Sequence, residues 1–253
     1  MVCHNVRGCG EDYNRPVKWV IVPGLSLLPE DYSGLSELLP GPVEVIDAWE
    51  HDPTGDIDDL RKAVDTSEPF ALIGHSVGGV TALEWALKHP SDITRLVLLD
   101  PSAPLTFVGG WFTRGTVFER YSAPVVEKVA RALTPWGAQI RTHLFTRASG
   151  LADHLPRTHA THRYVTRPGL QTVVDQWFSS WEQEYRLSSL LMSNHVLDRR
   201  LEPIIVCSSG TSRAVSVAKQ RRLARLIGAE LHIAEGADHM FPVTEPQRVI
   251  AAL

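Results

Sequence analysis

The sequence predicts an α/β fold: a mostly parallel, doubly wound sheet into which a mostly helical cap is inserted. Three observations predict it. Six short apolar runs, mostly without polar alternation, recur along the chain, as strands covered on both faces require. Helical patterns stand between them, so strand and helix alternate and parallel strands connect through right-handed crossovers. Residues 101–200 break this regularity and read as an insertion carried by the sheet.

The elements follow in chain order. Residues 17–22 form the first run and stop at the turn formers Pro23 and Gly24. Residues 43–46, entered through Gly41 and Pro42, and residues 70–73, ending at Gly74, are the second and third strands. Residues 79–89 carry Val80, Leu83 and Leu87 on one helical face and stop before Pro90. The fourth strand spans 96–99. Helical patterns cover 125–133 and 170–180 inside the insertion. The fifth strand spans 204–206, a helix rich in Ala, Leu and Arg spans 214–227 before Gly228, and the sixth strand spans 231–234. Both ends of the insertion are tethered to strands, so it should sit over their carboxyl ends, where open α/β sheets bind ligands.

Size and composition bound the class. At 253 residues, one large domain is expected, with a core of residues 1–100 and 201–253 and a cap of residues 101–200. A hydrophobic fraction of 43% and a charged fraction of 21% exclude a disordered or fibrous chain. No apolar run approaches the roughly 18 residues that span a bilayer. The opening residues carry Arg7, Glu11, Asp12 and Arg15 without the apolar stretch of a cleaved signal, which gives a cytoplasmic expectation. Three irregularly spaced cysteines make a poor disulfide framework, and Cys207 reads as a small buried thiol. A net charge of −4 is too small to imply a nucleic-acid partner, although residues 101–200 carry 12 basic against 7 acidic side chains. That imbalance suits a solvated arginine-rich surface or a site for anionic substrates.

The chemistry concentrates at Gly74-His75-Ser76-Val77-Gly78-Gly79, where a buried strand turns sharply into a helix. Small residues flank Ser76 because larger side chains would collide across so tight a turn, and the turn lifts the hydroxyl clear of the sheet. The competing reading is a glycine-rich turn with an incidental serine or a phosphate loop, which the lack of a following Lys-Ser/Thr and of G-x-G-x-x-G disfavours. A serine hydroxyl needs a base. His239 follows the last strand and is therefore delivered to the same sheet edge, whereas His154, His159 and His162 fall in the cap and His75 is expected to point away on the elbow. Two donors must hold the substrate oxygen as charge develops: the Val77 amide directly after the serine, and the Leu25 amide in the turn after the first strand. Cys3, His4 and Cys9 lack the second ligand pair of a metal site, and although the spacing of His154, His159 and His162 could place two of them on one helix face, no metal site is expected there.

These residues resemble the α/β-hydrolase superfamily over essentially 17–253, with the elbow and the terminal histidine as the specific matches. The resemblance implies that the third member of a Ser-His-acid triad follows the strand at 204–206, near Ser212 or Arg213, and no aspartate stands there. Pro23 departs from the histidine that many such enzymes carry. Some superfamily members place the acid one strand earlier, which assigns it to Asp100 in the order Ser76, Asp100, His239. Asp100 equally suits a strand-end residue that satisfies backbone amides, and Asp238 is the second candidate for the acid.

The expected function is hydrolysis of a carboxylic ester or thioester through an acyl-enzyme, without metal or organic cofactor. Trp111, Phe112, Phe118, Tyr121, Trp136, Phe145, Tyr164, Trp177, Phe178, Trp181 and Tyr185 make the cap aromatic and suit an apolar acyl or aromatic small-molecule substrate. The competing readings are a non-hydrolytic lyase or tailoring enzyme that uses the same serine and histidine, and a binding module that has lost turnover.

Overall fold

The computed structural model describes residues 16–102, 166–193, 196–210 and 217–253, together with the single helical positions 128 and 132. Its strands are β1 (Trp19–Val22), β2 (Val43–Val45), β3 (Phe70–His75), β4 (Ile93–Leu99), β5 (Ile204–Ser208) and β6 (Glu230–Ala234). Its helices are α1 (Ser33–Leu38), α2 (Ile57–Arg61), α3 (Val77–Lys88), α4 (Arg167–Met192), α5 (Val217–Ile227), α6 (Phe241–Thr244) and α7 (Gln247–Ile250). All six expected strands are present, at the expected places. Cys3, His4, Cys9, Ser212, Arg213, the three cap histidines and the aromatic residues from Trp111 to Tyr164 lie outside the described residues.

The strands form one sheet in the order β2-β1-β3-β4-β5-β6, with every neighbouring pair parallel. The chain winds outward from β1 to β2, then restarts beside β1 at β3 and winds the other way. The winding reverses between β1 and β3, and at such a point the two following loops part and leave a crevice at the carboxyl ends.

Alternate side chains of each strand enter two separate cores, which is why the runs are apolar throughout. Val20, Val22, Leu72, Leu96, Leu98 and Ile205 pack with Val80 and Leu83 of α3, Leu187 of α4 and Leu223 of α5. Trp19, Ile21, Ala71, Ile73, Val97, Leu99 and Val206 pack on the other face with Leu35 of α1, Phe241 of α6 and Val249 of α7. Burying one such Ile or Leu fully contributes about 1.5–3 kcal/mol. The outermost strands, β2 and β6, are partly exposed along most of their length, whereas β4 is exposed only near its start, at Thr94 and Arg95.

The helix expected over 170–180 is far longer. α4 begins where the Thr166 side chain accepts the Gly169 N–H at 3.2 Å, and it continues for 26 residues. Its second half lies on α3. Gln183, fully buried, donates to the Pro53 carbonyl at 3.0 Å and to the Thr81 hydroxyl at 2.7 Å. Arg186 donates to the Thr54 and Gly55 carbonyls at 3.1 and 2.9 Å. No helix among the described residues is long and apolar enough to cross a membrane.

Candidate active site

Ser76 stands between β3 and α3 with φ 55° and ψ −117°, a left-handed backbone conformation that few non-glycine residues adopt. Its neighbours make that turn possible. A Cβ on Gly78 would collide with the carbonyl oxygens of Val22 and Pro23, and one on Gly74 with the Gly78 carbonyl and the Ala82 side chain. The start of α3 is thereby pressed against the end of β1. The Ser76 N–H donates to the Leu99 carbonyl at 2.9 Å and the Ser76 carbonyl accepts the Ser102 N–H at 3.0 Å, which stitches the elbow to the end of β4.

The hydroxyl and the imidazole meet. Ser76 Oγ lies 3.0 Å from His239 Nε2, and His239 Nδ1 lies 3.2 Å from Asp100 Oδ2. A carboxylate only accepts, so Nδ1 carries the proton and Nε2 presents its lone pair to the serine O–H. The His239 side chain is 16% exposed and that of Asp100 fully buried.

Asp100 also has φ 43°. Its Oδ1 accepts the Ser208 N–H at 2.8 Å and its Oδ2 accepts the Ser208 hydroxyl, while its own N–H donates to the Val206 carbonyl at 2.9 Å. Ser208 ends β5, the strand after which the family resemblance expects the acid. That strand thus supplies a donor pair to a carboxylate borne by its neighbour β4. Asp238 is elsewhere engaged: its Oδ1 accepts the Met240 N–H at 2.7 Å, and burial raises its pKa above the ordinary carboxylate range.

The turn after β1 comes close to the serine, since a Cβ on Gly24 would lie 3.3 Å from Ser76 Cβ. Three of its amides have acceptors: Gly24 N–H donates to the Tyr32 hydroxyl oxygen at 3.0 Å, Leu27 N–H to the Gly24 carbonyl at 3.1 Å and Leu28 N–H to Asp31 at 2.9 Å. Val77 opens α3, where the first N–H groups have no acceptor inside the helix.

His75 corrects an expectation. It does not point away but is fully buried beneath the site, with Nε2 3.0 Å from the His239 carbonyl oxygen, Nδ1 2.7 Å from the Tyr32 hydroxyl and its ring centroid 5.1 Å from that of His239. Burial and the nearby His239 push its pKa down to about 3, so the ring is neutral at ordinary pH. Sequence reasoning also missed Tyr32 and Ser208. Neither belongs to a motif, and each acts through a fold contact between residues 43 and 108 positions apart.

Above the carboxyl ends of β1 and β2, buried Leu28 packs with Trp49 and with Val173 of α4, and Gln176 of α4 donates to the Ala48 carbonyl. Further along α4, Trp181 makes edge contacts with Trp177 at 6.2 Å and Phe178 at 5.7 Å.

Known proteins resemble this chain in part of its sequence and in its fold. A 1-acylglycerol-3-phosphate O-acyltransferase of Arabidopsis thaliana is 34% identical over 105 residues, which is 37% of this chain and 24% of that protein, so the match spans about a quarter of the relative. Among solved structures, the Cif epoxide hydrolase of Acinetobacter nosocomialis superposes with a TM-score of 0.71 at 11% identity, over 94% of this chain and 81% of that one. A thermophilic esterase of Thermogutta terrifontis superposes with a TM-score of 0.63 at 15% identity, over 94% and 88%. At such identities the likeness is one of fold. The sequence itself matches the alpha/beta hydrolase fold family over residues 2–246, and with this parallel sheet and this elbow the chain belongs to that family.

Proposed function

We propose that this chain is a serine hydrolase that cleaves a carboxylic ester or thioester of an apolar small molecule through an acyl-enzyme. The observation that carries the reading is the continuous chain Ser76 Oγ, His239, Asp100, with separations of 3.0 and 3.2 Å. His239 Nε2 takes the serine proton as Oγ attacks the carbonyl carbon, and Asp100 holds the tautomer that allows it. The Val77 and Leu25 amides receive the oxyanion. As the tetrahedral intermediate collapses, the imidazolium returns its proton to the leaving group, and a water then repeats both steps on the acyl-serine.

A serine favours carbonyl substrates over the epoxides named for the Acinetobacter protein. Oγ attack on an epoxide carbon leaves an ether, which offers water no carbonyl to attack, whereas attack on an ester leaves an acyl group that water removes. The cluster of Leu28, Trp49 and Val173, with the aromatic side chains of α4, supports an apolar substrate. Residues 101–200 act as the cap in this proposal, except for the second half of α4 and Leu197, which pack in the sheet core. A cytoplasmic location is part of the same proposal, with which the free buried thiol of Cys207 agrees.

The partial likeness to the acyltransferase favours one second reading, in which an alcohol replaces water in resolving the acyl-enzyme. A fluorophosphonate probe should label the wild type once, at Ser76, and leave Ser76→Ala unlabelled; an unreactive Ser76 overturns the proposal. Short and long p-nitrophenyl esters with and without added glycerol then separate free acid from transesterified product.

A further inference from the structure

Beneath the three groups above runs a second chain of hydrogen bonds whose direction can be derived at every link. The His239 backbone carbonyl can only accept, so His75 Nε2 must donate to it across 3.0 Å. A neutral imidazole with its proton on Nε2 has a lone pair on Nδ1, so the Tyr32 hydroxyl donates to Nδ1 across 2.7 Å. The hydroxyl oxygen in turn accepts the Gly24 N–H across 3.0 Å. The sequence Gly24 N–H, Tyr32 O–H, His75 and His239 C=O therefore has a single polarity. All its side chains are fully buried, and Tyr32 and His75 meet edge to face with centroids 6.0 Å apart.

The two ends of this chain are the two loops that must agree in the transition state. Gly24 precedes the amide assigned to the oxyanion, and the carbonyl of His239 belongs to the residue that carries the base. The loops come from β1 and β6, which are separated by three strands in the sheet. His75 is fixed to the elbow as the last residue of β3, so it refers both loops to the position of Ser76.

We propose that Tyr32 and His75 are positioning residues that hold the Leu25 turn and the His239 loop in register with Ser76, without touching substrate. This rests on the hydrolase reading above. Because the donors and the base act on the transition state, loosening their register lowers kcat rather than raising KM. A displacement of about 1 Å in such groups costs up to roughly a hundredfold in rate.

The test is Tyr32→Phe, which removes both hydroxyl bonds while keeping the ring. With turnover normalised to fluorophosphonate-titrated serine, kcat should fall about tenfold or more while KM stays within about twofold. In 15N-histidine-labelled protein, the wild type should show His75 protonated on Nε2 and unprotonated on Nδ1, and Tyr32→Phe should move the ring-nitrogen signals of both His75 and His239. Unchanged His239 signals, or unchanged kcat per titrated serine, in folded Tyr32→Phe overturn the proposal. If the wild type neither reacts with the probe nor cleaves any ester, the hydrolase reading fails and the ring-nitrogen spectra still decide the positioning role. If Tyr32→Phe does not fold, His75→Gln, which keeps a donor for the His239 carbonyl, should retain more of the His239 signal pattern than His75→Phe; equal patterns overturn the proposal.

Discussion

Asp100 shows how one residue accommodates two readings that its sequence position left open. One carboxylate oxygen accepts a backbone amide, as a strand-end aspartate does, and the other faces His239. Asp100→Asn keeps the shape but can present an N–H where an acceptor is needed, so kcat should drop about 10⁴-fold, as when a triad histidine is left in the wrong tautomer. Turnover of a p-nitrophenyl ester per titrated serine measures it, and near-normal turnover would remove Asp100 from the mechanism. Ser208→Ala deletes one donor to the same buried carboxylate. Hydrogen bonds to charged groups contribute about 1.5–3 kcal/mol, so urea unfolding should show a loss of that size.

At the scale of elements, the strands and the elbow were legible because burial on both faces writes itself as unbroken apolar runs, and a tight turn as glycines. Gly78→Ala should therefore fail badly. Its Cβ would meet backbone oxygens of Val22 and Pro23, which cannot rotate aside, so the variant should lose at least about 1–3 kcal/mol in urea unfolding. Ser76 and His239 were legible because both follow strand ends, and Asp100 was legible only through the absence of an acid near Ser212. His75 was misjudged because a pattern gives its place on the elbow but not the direction of its ring, which Tyr32 sets from another element. The full length of α4 was also missed. Its Ser, Gln and Glu positions weaken the apolar periodicity, while Gln183 and Arg186 hold it through polar bonds to 53–55 and α3 that no periodicity reveals. Leu187→Ala, at the fully buried point of that contact, should cost about 2–5 kcal/mol in urea unfolding.

For the molecule as a whole, pH enters stability through Glu184 on α4. Burial raises its pKa from 4.5 to about 7, against a smaller opposing pull from Lys219. The folded state thus binds this proton more tightly than the unfolded chain, and stability falls as pH rises from about 4.5 to about 7, with the full loss present above it. Glu184→Gln should flatten that part of the pH dependence of the urea midpoint; an unchanged slope would refute the assignment. The placement of the acid on β4 has a different consequence. Ser76 and Asp100 both precede residue 103 and His239 follows residue 165, so recombination that swaps everything between those two points for a foreign sequence carries the three reacting groups along intact. On the proposed reading, in which the cap selects the substrate, such a crossover should change substrate preference without touching Ser76, Asp100 or His239.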